Sequence, residues 1–288
     1  ESVSSSFEPV NPNNYLHTNF KISESGETVF LYSPEQTLLS SLFVNCNDLD
    51  NSIGSFPDSA PTVFLFETST PSATNNESSI YTGYLLPPTI STTSGFYNSP
   101  INVYISNPNT GPSFIHYSLD GNDPTVNSPL YDGTPININE SKVLKVRIFA
   151  TEVLPSPIIV ASYFFGVNHS TPVISVVTDN ANLYGSTGIF DNWSQEWEKP
   201  CYVEFYDTTK QKIFEQFSGI QIDGGAGGSR SHPQHSFRLE FNNDTYGDGK
   251  LKYKLITDRN YRDTYKSIYI RNGSNQWLTF PFKDAMET

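Results

Sequence analysis

The sequence predicts a mainly β chain built from tandem sandwiches, on three observations. Aromatic residues fill 14% of its 288 positions, with 17 Tyr and 20 Phe against a single Met, a palette that suits pleated sheets over helical bundles. Its 18 Gly and 20 Pro, set among frequent Asn and Ser, punctuate the apolar runs often enough for many short strands. The length exceeds that of one ordinary domain, ~100–200 residues, so two or three units are expected.

Charge narrows the partners. Thirty acidic residues against 17 basic ones give a formal net charge of −13, which repels phosphate backbones and anionic membrane surfaces. Nucleic acid is therefore not an expected partner. No run of about 18 apolar residues occurs, so no transmembrane helix is expected. Cys46 and Cys201 lie far apart and outline neither a disulfide framework nor a cysteine metal site. Asn-X-Ser/Thr sequons at Asn76, Asn139, Asn168, Asn192, Asn243 and Asn272 suit an exported or cell-surface protein, although so Asn- and Ser-rich a composition also generates them by chance. The first residue is Glu1, the only Met is Met286, and Phe282 to Thr288 reads as the opening of a helix. These ends are expected of a piece of a longer protein.

The first unit, residues 1–75, carries strand-like runs at Glu27 to Tyr32, Leu38 to Val44 and Val63 to Phe66, separated by turn clusters such as Ser33-Pro34-Glu35-Gln36. Thr68 to Glu77 lacks periodicity and reads as linker, with residues 76–85 assigned to the connection. The second unit, 86–166, alternates with period 2: Ile101, Val103 and Ile105 share a face, and Leu144, Val146 and Ile148 oppose Lys145 and Arg147. About 80 residues of short strands suit an immunoglobulin-like sandwich. The third unit, 167–288, contributes strands at Val173 to Val177, Tyr202 to Tyr206, Gly219 to Ile222, Phe237 to Phe241 and Ser267 to Ile270.

Three resemblances accompany these units. Leu16 to Ile22, Ser25 to Tyr32, Asp50 to Asp58 and the closing Thr70-Pro71-Ser72-Ala73-Thr74-Asn75 resemble the second half of a lamin-tail domain, an immunoglobulin-like adaptor module. Tyr117 to Thr125, Ser128 to Tyr131, Leu144 to Ala150 and Pro155-Ser156 resemble the chitobiase/β-hexosaminidase C-terminal module, an accessory sandwich without catalytic residues. Pro172 to Asp179, Gly188 to Phe190, Trp197 to Phe205 and above all Gly219 to Arg230, followed by Pro233 to Phe241, resemble the entry to a CotH-type domain, related to the spore coat protein H-like kinases. That resemblance implies an atypical kinase of secreted proteins using ATP and Mg or Mn. It also implies that the metal-holding half of the site lies beyond Thr288. The expected fold is thus two immunoglobulin-like sandwiches followed by the truncated N-terminal β portion of a CotH kinase-like domain.

The chemistry concentrates in the third unit. A glycine-rich loop can aim several backbone N–H groups at an anion, and a following Arg can grip phosphate in a bidentate fork. Gly224, Gly225, Gly227, Gly228, Ser229, Arg230 and Arg238 form the candidate phosphate-binding set. Alternation puts Phe237, Leu239 and Phe241 on the core face and Arg238 with Glu240 on the other, which leaves two readings: Arg238 free for a ligand, or Arg238 paired with Glu240 in a plain hairpin. Where the family carries two lysines before this strand, the chain has Gln234 and His235, so two charges that would face phosphate are lost.

Other constellations carry less. His232, His235 and Asp223 lack helical i, i+3 geometry because Pro233 intervenes, and Asp120 and Asp123 are explained by the turns they open, so no metal ligand is assigned. Trp193 and Trp197 are candidate glycan-stacking rings, with packing in a core as the competing use. No catalytic residue is expected within the chain. The alternative to a kinase-like parent is an adhesion or glycan-binding protein of β-sandwich modules, whose partners would be other domains of the parent and cell-surface glycans, as against secreted protein substrates.

Overall fold

The computed structural model describes residue 22 and residues 26–45, 51–224, 230, 233–242, 246–255 and 262–272. The described chain is mainly β: its strands form several sheets, none closed into a barrel, and its α-helix spans four residues. By packing it divides into two units. One comprises residues 1–86, 109–113 and 149–156, and the other comprises 87–108, 114–148 and 157–288.

In the first unit, β1 (Glu27–Tyr32) and β2 (Leu38–Val44) form an antiparallel hairpin, and β3 (Ser52–Ser55) pairs with β4 (Val63–Phe66). Phe66, Leu65, Leu85 and Leu154 are buried here. The turn-rich stretch 68–77 is held by hydrogen bonds. Asp58 accepts from the Asn75 N–H and from the Thr74 hydroxyl at 2.5 Å, while the Asn75 amide donates to the Ser55 carbonyl. Those donors hold the Asp58 carboxyl below its ordinary value, the Thr74 bond contributing most. Residues 76–85 continue as paired backbone: Tyr81 bridges Leu65, and Tyr84 bridges Leu154.

The second unit opens with β5 (Thr89–Ile90), β6 (Gly95–Tyr97), β7 (Ile101–Val103), β8 (Ile105–Ser106), β9 (Phe114–Ser118), β10 (Ile136–Ile138), β11 (Lys142–Phe149) and β12 (Ile159–Phe165). Strands β6, β12, β11 and β9 make a four-stranded sheet, and β7–β10 and β5–β8 are pairs. Val103, Ile105, Ile136 and Ile138 from the pairs meet Leu144, Val146, Ala161 and Tyr163 from the four-stranded sheet in one core. Side chains from two facing layers interdigitating in this way make a β-sandwich, in keeping with the immunoglobulin-like expectation.

It continues with β13 (Val173–Val177), α1 (Asn180–Leu183), β14 (Glu198–Tyr206), β15 (Lys212–Asp223), β16 (Ser236–Glu240), β17 (Leu251–Lys252), β18 (Thr264–Tyr265) and β19 (Ser267–Ile270). Five of these form an antiparallel sheet in the order β13-β14-β15-β16-β19. Its core face carries Cys201, Val203, Ile220, Ile222 and Leu239, with Phe241, Leu251, Tyr265 and Ile189 packed in the same cluster. Burying each such large side chain contributes ~1.5–3 kcal/mol.

The outer face of the sandwich does not meet water as its alternation suggests. Leu144, Val146 and Ile148 are inward as expected, yet Lys145 between them is only 4% exposed. Its strand is covered on both sides, because the outer face of β6, β12 and β11 lies against the five-stranded sheet. Phe96 and Phe164 stack at 4.9 Å, and the Tyr206 ring meets them edge-on at 5.2 and 5.7 Å. Ser162 and Ser175 bring their hydroxyls to 3.1 Å across the same junction.

Candidate functional site

The five-stranded sheet has one apolar and one polar face, and the antiparallel register decides which side chains become neighbours on the polar one. Glu198, Gln221, Arg238 and Tyr269 form one cross-strand row, and Pro200, Gly219, Glu240 and Ser267 form the next. The alternation expected for β16 holds, with Leu239 in the core and Arg238 opposite.

Arg238 is already engaged. Its Nε lies 2.6 Å from Glu240 Oε1, its Nη2 donates to the Gln221 side-chain oxygen, and the guanidinium also hydrogen-bonds Tyr269. This is the geometry of the hairpin reading. Burial pushes the Glu240 carboxyl up, Arg238 opposes that rise, and Glu198 and Asp223 add to it. The field around Arg238 is thus rich in carboxylate. A phosphate arriving here would compete with Glu240 and approach two further acids.

Gly219 explains how a glutamate fits among these rows. A Cβ built on Gly219 would fall 1.9 Å from Glu198 Oε1 and 2.7 Å from Glu198 Cγ, so the bare backbone is what lets this side chain lie across the strand. Spacing alone gives no sign of that contact, since it depends on strand pairing.

Of the glycine loop, Gly224 is described and adopts φ +116°, a conformation that favours glycine. Gly225, Gly227, Gly228 and Ser229 lie outside the described residues, as do His232 and Cys46. Arg230 sets Nη1 3.8 Å from Glu196, and its buried Nε has no hydrogen-bond partner among the described residues. The Arg230 carbonyl lies 2.9 Å from His235 Nδ1, and the His235 ring packs 4.9 Å from that of Phe190. His235 thereby ties the end of the loop to the sheet.

The two tryptophans occupy different surroundings. Trp193 is partly buried against the core cluster of the five-stranded sheet. Trp197 is 38% exposed, with the Lys199 ammonium 5.8 Å above its ring. No ring contact joins the two among the described residues. Cys201 is buried in the core, where burial pushes its thiol up to about 12, far from a reactive thiolate.

Two buried polar clusters at the sandwich–sheet junction escaped sequence reading. In the first, the Lys145 ammonium sits 2.6 Å from Asp123 and 3.6 Å from Asp179, and the Asn180 N–H donates to the Asn122 side chain. Burial pushes the Asp179 carboxyl up, and Asp123 adds to that rise. The acids of the Asp120-to-Asp123 turn are used locally: Asp120 accepts from Asn122, and Asp123 is held by Lys145. In the second cluster, Glu204 is fully buried, Tyr206 donates to its Oε1 at 3.1 Å, and Lys212 lies 4.0 Å away. Lys212 itself bonds Ser94 at 2.7 Å and Glu215 at 2.6 Å. Burial pushes the Glu204 carboxyl up, against the Ser162, Ser94 and Tyr206 hydroxyls and the Lys212 charge.

Comparison with known proteins places one family on the chain. The model of the chitobiase/beta-hexosaminidase C-terminal domain matches residues 92–159, which fall largely within the sandwich. That family supplies an immunoglobulin-like module of the carbohydrate-binding type. No curated protein and no solved structure matches the chain, and the comparisons give no evidence for a CotH or lamin-tail domain.

Proposed function

We propose that this chain acts at the cell surface or in a secreted protein as a non-catalytic, glycan-contacting β assembly, with the sandwich at residues 86–166 as the recognition module. The observation that carries this reading is the family match over residues 92–159, on a segment whose two sheet layers share one apolar core. The polar clusters of Lys145 and Glu204 fit the same role, because they fasten the module to a following sheet and fix its presentation. Residues 1–75 serve as an adaptor of lamin-tail type, joined through 76–85, and 167–288 as the supporting β portion. Depletion from solution by chitin, cellulose and peptidoglycan, together with a glycan array, tests the function. Retention on at least one matrix is expected, and failure on all of them overturns the reading.

A kinase-like parent of CotH type has two supports: the left-handed Gly224 that opens the glycine loop, and the buried Arg230 Nε that lacks a described partner. The residue this reading expects to meet ATP is Arg230, because Arg238 is engaged by Glu240 and Gln221. Calorimetric titration of ATP with Mg²⁺ or Mn²⁺ decides it: binding lost in Arg230→Ala favours phosphate contact, and absence of heat at millimolar ATP rejects it.

A further inference from the structure

The sandwich has a loop end at which three segments converge: Asn98-Ser99-Pro100 after β6, Asn139-Glu140-Ser141 between β10 and β11, and Phe165-Gly166 leaving β12. They enclose an open cleft of about 410 Å³. Loop ends of immunoglobulin-like sandwiches are where sequence is free to build recognition surfaces, because the strands behind them carry the fold. Here the strands hold the loops from three sides. Ile138 pairs with Ile101, Tyr163 with Lys142, and Phe165 with Tyr97. The Ser141 hydroxyl, at 2.9 Å, accepts the Phe165 N–H and clamps the β10–β11 turn to the end of β12.

The chemistry of the walls is specific. Phe165 is half-buried: it packs against the edge of the sandwich core and stacks on Tyr97 at 5.9 Å with ring planes 28° apart, so its orientation is set before any ligand arrives and its remaining surface lines the cleft. Asn98 and Asn139, two exposed carboxamides for which no described residue supplies a partner, line the same cleft. The charge of Glu140 is matched by Lys142 at 2.9 Å, and no other ionisable side chain lines the cleft. An aromatic flank beside paired amides is the arrangement that holds a pyranose: the ring receives the C–H face, and each amide offers one donor and one acceptor to neighbouring hydroxyls. Without a surplus of positive charge, the cleft does not select sulfate, phosphate or uronate. The net charge of −13 opposes such ligands at longer range as well.

We infer that the cleft formed by Asn98, Asn139, Glu140 and Phe165 is a binding site for a residue of a neutral glycan. The inference rests on the glycan-contacting function proposed above and gives it an address. The two tryptophans are not part of it.

The test uses the full 288-residue chain made in a host without N-glycosylation, since Asn139-Glu140-Ser141 is a sequon and a glycan on Asn139 would fill the cleft. Neutral tetrasaccharides of N-acetylglucosamine, glucose, xylose and mannose, with tetragalacturonate as the anionic counterpart, are titrated while backbone amide NMR shifts are followed. The expected result is saturable shifts clustered at residues 98–100, 139–141 and 165–166 with a neutral sugar and none with tetragalacturonate. Asn98→Ala and Asn139→Ala each weaken binding about fivefold, the cost of one lost hydrogen bond. Both positions are exposed, so the fold is retained, and the unchanged remainder of the spectrum verifies it. Saturable shifts elsewhere, unaffected by either variant, overturn the cleft while leaving glycan binding intact. Stronger binding of tetragalacturonate overturns the neutral-ligand assignment. Absence of shifts with every sugar, joined to failure on the matrices and array, overturns both.

Discussion

Lys145 places its ammonium 2.6 Å from the Asp123 carboxylate while only 4% of the residue reaches solvent. The pair joins a turn of the sandwich to the start of the following sheet, because Asp179 approaches the same ammonium at 3.6 Å. Removing one partner of a buried ion pair costs ~3–5 kcal/mol, less where a partner is wet, as Asp123 is. Lys145→Ala is therefore expected to lower the unfolding free energy by about 1–3 kcal/mol in urea denaturation. A variant as stable as the parent would show that the junction does not depend on this pair.

Gly219 and Glu198 supply a sharper geometric test. Gly219→Ala drives a methyl into Glu198 Oε1 and Cγ, so the glutamate must rotate away from the polar face. Overpacking of this kind costs ~1–3 kcal/mol. Glu198→Ala in the same chain removes the clash, and the double variant should recover most of the loss made by Gly219→Ala alone. Additive losses in that double-mutant cycle would contradict the contact.

Glu204 makes stability depend on pH in a definite direction. Its folded-state value is raised above the ordinary 4.5, chiefly by burial, so the folded protein binds this proton more tightly than the unfolded chain does. Its contribution is fully present below the unfolded value and is lost as pH rises through the folded one. Glu204→Gln should flatten the melting temperature between pH 4.5 and 8, with its largest gain over the parent at the upper end. A pH profile parallel to that of the parent would count against a buried, proton-retaining Glu204.

Cys201 is expected to resist alkylation. With the thiol pushed up to about 12 and 3% of the residue exposed, its thiolate fraction at pH 8 is negligible in the folded protein. Iodoacetamide followed by peptide mapping should leave the Cys201 peptide unmodified in buffer and modify it in 6 M guanidinium. Labelling at comparable rates under both conditions would indicate an open core.

The legible part of the fold was the part written in local alternation. Phe237, Leu239 and Phe241 against Arg238 and Glu240 describe β16 as found, and Leu144, Val146 and Ile148 describe the inner face of β11. Of the candidate site, alternation placed Arg238 on the polar face and allowed for pairing with Glu240, while four residues of the glycine loop lie outside the described chain. The end cleft drew no attention in the sequence beyond a sequon at Asn139, because its three segments, 98–100, 139–141 and 165–166, lie apart in the chain and meet only through strand pairing.

The sequence by itself determined a mainly β chain and the period of its strands, since both follow from residue spacing within one segment, and its residues 117–156 carried the resemblance to a chitobiase-type module that the family match over residues 92–159 supports. Only the tertiary structure decided that Lys145 and Glu204 are buried, that Glu198 crosses Gly219, and that Asn98, Asn139 and Phe165 line one cleft. Whether a strand's second face meets water or another sheet is set by residues distant in the chain, and spacing within that strand carries no record of them.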